Sequence, residues 1–70
     1  MTNGQQEMVE YTTQDVIRYL IEDDGMSLNQ AMNTFYMSDT FSKLNDVETG
    51  LYIEGPLYVY ELLKKEQQKY

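Results

Sequence analysis

The sequence predicts an all-α fold, a small domain of four helices of which the third is short. Apolar residues recur at helical spacing in four segments, and residues that favour helix ends stand between those segments. The apolar run at residues 51–53 departs from this pattern and leaves room for a short extended segment there. Residues 1–10 are mostly polar and are expected to form a flexible N-terminal leader, which places a single helical domain at residues 11–70.

The first two helices are predicted over residues 13–24 and 27–37. Gly25 ends the first helix, and Ser27 with Gln30 matches the S-x-x-Q capping box that opens a helix. Because the turn between the helices is so short, we expect them to splay or to run antiparallel.

The third helix is predicted over residues 39–45, and the fourth begins at Pro56, since proline is favoured at the first helical position. The core is expected to form from the apolar residues at helical spacing. These are Val16, Ile17, Leu20, Ile21, Leu28, Met32, Phe35, Phe41, Leu44, Val59 and Leu63.

The composition argues against catalysis and against a bound metal or cofactor. The 70 residues include no histidine and no cysteine, the side chains that most often act as bases, nucleophiles and zinc ligands. The acidic residues 22–24 do not make a calcium loop, because the twelfth residue counted from Asp23 is Thr34 rather than glutamate. No phosphate-binding glycine motif is present. We therefore predict no enzyme activity, no catalytic residue, no cofactor and no metal site.

Charge indicates the kind of partner. Twelve acidic residues against five basic ones give a net charge of -7, and four of the five bases lie at or after Lys43. A field of this sign repels nucleic acid and steers a basic protein toward the chain. The mean hydropathy of -0.60 and the absence of a long apolar run or a signal-peptide pattern predict a cytoplasmic protein with no membrane contact.

Seven tyrosines are many for so short a chain, and tyrosine is common at protein interfaces. Three of them fall within residues 51–60. Tyr58 and Tyr60 are separated by about 200° around a helix, so only one of them can face the core. The segment is therefore predicted to be the partner-binding surface, formed by Tyr52, Glu54, Tyr58, Tyr60 and Glu61, with the two glutamates as an acidic rim.

The stretches YMSDTF (36–41), ETGLY (48–52) and YVYELLKKE (58–66) resemble short uncharacterised bacterial proteins of the domain-of-unknown-function type, some of them encoded near toxin-antitoxin-like genes. The resemblance covers residues 13–66. It implies a compact helical protein that acts by binding another protein, in a regulatory or antitoxin-like role, and it brings no activity, cofactor or catalytic residue.

The predicted function is thus a non-enzymatic, small acidic protein-protein interaction module. Two alternatives stay open. One is an acidic decoy that occupies the basic site of a nucleic-acid-binding protein. The other is a helix-turn-helix DNA binder, suggested by the order of the first three helices and disfavoured by the charge, since Lys43 stands beside Asp39 and Asp46. Self-association into a homo-oligomer is open as well, because no disulfide or zinc can stabilise the domain.

Overall fold

Four α-helices and two single-turn 3-10 helices form the fold in the computed structural model, which describes residues 3–68 and, for residue 3, the backbone alone. The α-helices are α1 (Asn3–Glu22), α2 (Leu28–Tyr36), α3 (Asp39–Asn45) and α4 (Pro56–Gln68). The 3-10 helices Val47–Thr49 and Leu51–Ile53 connect α3 to α4. No strand occurs between residues 3 and 68. The predicted all-α domain with a short third helix is confirmed.

Helix α1 begins ten residues earlier than the sequence suggested. Instead of a flexible leader over residues 1–10, residues 3–10 form the first turns of the helix, while residues 1 and 2 lie outside the described residues. Burial of Val9 (5% exposed) and Thr12 (3% exposed) explains the extension, because both side chains pack inward on the face that continues to Val16. Gln5 adds a hydrogen bond of 3.0 Å from its Nε2 to the hydroxyl of Tyr52.

The segment at residues 51–53 is a 3-10 turn rather than an extended segment. Gly50 adopts a left-handed conformation (φ 67°), and the amide of Ile53 donates to the carbonyl of Gly50 over 3.1 Å. Leu51 is buried in the core. The 3-10 turn therefore places Leu51 in the core and leaves Ile53 exposed at the surface.

The turn between α1 and α2 follows the prediction. Gly25 has a positive φ of 72°, and both hydrogen bonds of the Ser27–Gln30 capping box are present, at 3.2 Å and 3.1 Å. The tight turn folds α2 back along α1, so that Tyr36 at the end of α2 lies beside Val9 in the first half of α1. The two helices form an antiparallel hairpin.

Most of the predicted core is buried. Ile21, Met32 and Phe41 are partly buried and pack against it. Leu28 was predicted to be buried and is 58% exposed, because it stands in the first turn of α2 and Met26 packs against the core beside it. The buried apolar residues are Val9, Val16, Ile17, Leu20, Ala31, Phe35, Leu44, Leu51, Val59 and Leu63.

Helix α4 closes the core by contacting both α1 and α3. At its C-terminal end, the carboxylate of Glu66 accepts hydrogen bonds from the amides of Asp39 (2.9 Å) and Thr40 (2.8 Å) and from the hydroxyl of Thr40 (2.7 Å). Burial disfavours the ionised form of Glu66, but these hydrogen bonds outweigh it and lower the pKa of the carboxyl below its usual value. Glu66 is thus an N-terminal cap for α3 supplied by another helix.

None of the helices in the described part of the chain has the combination of length and apolar character that crossing a membrane requires.

Candidate functional site

The five residues predicted to bind a partner differ in exposure. Tyr58 is 50% exposed, and Glu54 and Glu61 are exposed as well. Tyr52 and Tyr60 are half-buried, and each engages in a hydrogen bond with a residue of another element. The spacing argument that only one of Tyr58 and Tyr60 can face the core therefore agrees with the structure, and the outward residue is Tyr58.

Tyr60 holds α4 to the turn that follows α1. Its hydroxyl donates to Oδ1 of Asp24 over 2.8 Å, and Nζ of Lys64 donates to Oδ2 of the same carboxylate over 2.6 Å. The ring of Tyr60 also packs on that of Tyr19, with centroids 5.3 Å apart. The hydrogen bond from Lys64 lowers the pKa of Asp24. The pKa of Tyr60 is raised to about 12, mainly by burial and to a smaller extent by the hydrogen bond to Asp24.

These contacts give Tyr60 a structural role that Tyr58 lacks. We expect Tyr60→Phe to lower the free energy of unfolding by about 1 kcal/mol, because it removes a hydrogen bond to a charged, partly exposed acceptor. Tyr58→Phe is the matched control and should change it by less than about 0.5 kcal/mol. Urea titrations followed by circular dichroism measure both values. Equal effects of the two substitutions would mean that the bond to Asp24 contributes nothing to stability.

The acidic residues near the end of α1 do not converge. Asp24 is paired with Lys64, the exposed Glu22 is paired with Arg18 at 3.9 Å, and Asp23 is exposed. Between residues 3 and 68, no three acidic side chains come together in a way that could hold a metal ion.

A first groove, which we call the apolar groove, runs between the first half of α1 and the beginning of α4. Its volume is about 390 Å³. Its apolar lining comes from α1 on one side and from the 3-10 turn and α4 on the other, and consists of Met8, Tyr11, Tyr52, Ile53 and Pro56.

Three of the apolar side chains that line the apolar groove are exposed to solvent. Tyr11 and Ile53 are each 64% exposed, and Met8 is 43% exposed. Clustered exposed apolar side chains typically mark an interaction surface. Glu7 also lines the groove, and the exposed Glu54 follows Ile53 in the chain, so the apolar surface has acidic residues at its edge.

A second groove, which we call the aromatic groove, lies on another face of the same half of α1, against α2 and α3. Its volume is about 400 Å³. Tyr36 and Phe41 line it, with ring centroids 5.0 Å apart and planes inclined by 72°. Buried Val9 and Thr13 form its base. Its exposed edge is polar and consists of Gln6, Glu10, Gln14 and Asn45.

No protein-family model, no curated protein and no solved structure matches this chain. The resemblance of residues 13–66 to short bacterial proteins of unknown function therefore stays a prediction. The two grooves are the features from which a function can be argued.

Sequence reasoning missed the contribution of α1 to both grooves. Met8 and Tyr11 were assigned to a leader or to its border, although they belong to one helical face. The available signal was the continuation of inward-facing positions from Val16 back through Thr12 and Val9, at spacings of four and three residues. Extending the helix along that series would have placed Met8 and Tyr11 on its surface.

Proposed function

We propose that this chain is a non-enzymatic protein-binding module whose apolar groove takes an apolar segment of a basic protein partner. The observation that carries the proposal is the pair Tyr11 and Ile53, two large apolar side chains that line one groove and are each 64% exposed. Large side chains in concave, apolar surroundings contribute most of the binding free energy at protein interfaces.

Charge complementarity supports a basic partner. Glu7 lies in the lining of the apolar groove, and no lysine or arginine from the described part of the chain does. The chain has no basic residue before Arg18, and its net charge is -7. A partner with an apolar segment flanked by lysine or arginine would be attracted over a distance and then held by the apolar contacts. A regulatory, antitoxin-like role, in which binding controls the partner's activity, is consistent with this mode of action.

The proposal is tested by capturing a partner from the native host, identifying it by mass spectrometry, and measuring its affinity for variants by isothermal titration calorimetry. We expect Tyr11→Ala and Ile53→Ala each to raise the dissociation constant at least about tenfold, since a loss of about 1.4 kcal/mol has that effect. Both side chains are largely exposed, so neither change should unfold the domain.

Met37→Ala is the matched control, because Met37 is 84% exposed and lies outside both grooves. It should leave the dissociation constant unchanged. Failure to capture any partner, or equal affinities for all three variants, would contradict the proposal. A partner whose affinity depends on Glu7 and Glu54 but not on Tyr11 or Ile53 would instead favour the acidic decoy.

A further inference from the structure

We propose that the aromatic groove holds an arginine side chain of the basic partner. The inference deepens the proposed function and rests on it for the identity of the partner, but the chemistry of the groove can be tested without that partner. Its basis is the combination of two aromatic rings with a carboxylate in one cavity, in which Tyr36, Phe41 and Glu10 all take part.

The two rings pack edge to face, and the exposed ring of Tyr36 offers a surface on which a flat cation can stack. Tyr36 and Phe41 lie with their planes inclined by 72°, and Tyr36 is 44% exposed. Phe35 packs on Phe41 from the core side at 5.2 Å, which holds the arrangement in place. Aromatic faces attract cations through the ring quadrupole, and arginine is the side chain most often found there.

The polar edge of the groove favours arginine over lysine. Glu10 offers a carboxylate, and Gln6, Gln14 and Asn45 offer amide oxygens. Asn45 donates its Nδ2 to the carbonyl of Phe41 over 3.1 Å, so its amide oxygen is the atom left to accept a hydrogen bond. A guanidinium group has five N–H donors in one plane and is weakly hydrated, and it can stack on a ring while it donates to several acceptors.

The charge of the aromatic groove disfavours an anionic occupant. Among residues 3–68, no lysine or arginine lines the aromatic groove, and Glu10 would repel a phosphate or carboxylate. The chain itself contains an example of the proposed contact, since the guanidinium carbon of Arg18 lies 5.8 Å from the ring centre of Tyr19. Arg18 is also bridged to Asp15 at 3.1 Å, so it is engaged within its own helix.

The test is an NMR titration of the whole chain with N-acetyl-arginine amide, with N-acetyl-citrulline amide as an uncharged probe of nearly the same shape. We expect the ring resonances of Tyr36 and Phe41 to shift and saturate with the arginine probe. The citrulline probe should bind at least about threefold more weakly, because it lacks the charge that the rings and Glu10 attract. Equal binding of both probes, or no shift of either ring, would overturn the proposal.

Two substitutions locate the probe. Glu10→Gln should weaken binding of the arginine probe at least about threefold, whereas Asp23→Asn, at an exposed site outside the aromatic groove, should not. Equal effects would mean that the probe responds to the net charge alone, which overturns the assignment. N-acetyl-lysine amide binding as tightly as the arginine probe would overturn the preference for arginine. If the ring resonances shift when the protein concentration is raised without a probe, the occupant of the groove is a second copy of the chain. This result would also overturn the proposal.

The proposals for the two grooves can be refuted separately. Tyr11→Ala alters the apolar groove and should leave binding of the arginine probe unchanged, because Tyr11 does not line the aromatic groove. If the arginine probe binds but the affinity of the captured partner does not depend on Tyr11 or Ile53, the proposed function is refuted and the arginine site is retained. If Tyr11→Ala lowers the affinity for the partner but the rings of the aromatic groove do not respond to the arginine probe, the proposed function is retained and the arginine site is refuted.

Discussion

Replacing Phe35 with alanine is expected to lower the free energy of unfolding by about 3–5 kcal/mol, because it removes a large, fully enclosed ring and leaves a cavity. Phe35 is 0% exposed and packs against Phe41 and Tyr36, with ring centroids 5.2 Å and 6.3 Å away. A domain of this length has a total stability of roughly 4–10 kcal/mol. The variant should therefore unfold at a much lower urea concentration than the wild type.

Urea denaturation followed by circular dichroism at the helix signal measures this effect. Leu28→Ala is the matched control, since Leu28 lies in the same helix and is 58% exposed. It should change the free energy of unfolding by less than about 1 kcal/mol. A Phe35→Ala protein that unfolds at the wild-type urea concentration would refute the packing of α2 against the rest of the domain.

Local signals in the sequence were sufficient for most of the helices. The Ser27–Gln30 capping box depends on residues three positions apart, and Pro56 marks the first residue of α4 through its own backbone geometry. Phe35 and Leu20 were predicted to be core residues from helical spacing, and both are fully buried. Such features are fixed within one or two turns of helix, which is the range that a sequence pattern reports.

Contacts between distant residues could not be predicted in the same way. The beginning of α1 is stabilised by the contact of Gln5 with Tyr52, which is 47 positions away, and Tyr60 is held by Asp24 across 36 positions. No spacing rule relates such residues. Leu28 fits the apolar spacing of α2 and is nevertheless 58% exposed, because spacing alone does not tell whether the first turn of a helix reaches the core.

The candidate site illustrates both cases. Tyr52 was predicted from the local density of tyrosines, and it lines the apolar groove. Met8 and Tyr11, which form the opposite wall, come from a part of the chain more than 40 positions away. To predict a groove, the positions of both elements that form it must be known. The sequence could therefore indicate one wall and the charge of the surroundings, but not the cavity.

Removal of the Glu66 carboxylate is also expected to lower the stability of the domain. Glu66→Ala should lower the free energy of unfolding by about 1–3 kcal/mol, since three hydrogen bonds to a charged, partly exposed acceptor are lost. Two of the donors are the amides of Asp39 and Thr40 in the first turn of α3, where no carbonyl of the helix can accept from them. The negative charge also interacts favourably with the positive end of the helix dipole.

Two further variants isolate the cap from the charge. Glu61→Ala removes an exposed glutamate from the same helix and should change stability by less than about 0.5 kcal/mol, even though it alters the net charge equally. Glu66→Gln keeps one amide oxygen, which can accept in place of one of the two carboxylate oxygens, and its stability should fall between those of the wild type and Glu66→Ala. Equal losses in Glu61→Ala and Glu66→Ala would refute the cap.

The effect of pH separates the ionised cap from a packing contribution. The pKa of Glu66 in the folded chain lies below its usual value of 4.5, so the unfolded chain takes up the proton first as the pH falls. The stabilisation by Glu66 is therefore complete above its usual pKa and is lost as the pH falls through the lowered folded value. Urea titrations between about pH 7 and about pH 3 should show the difference between wild type and Glu66→Ala decreasing toward the acid end. A difference that stays constant over this range would mean that Glu66 stabilises α3 by packing rather than as a charged acceptor.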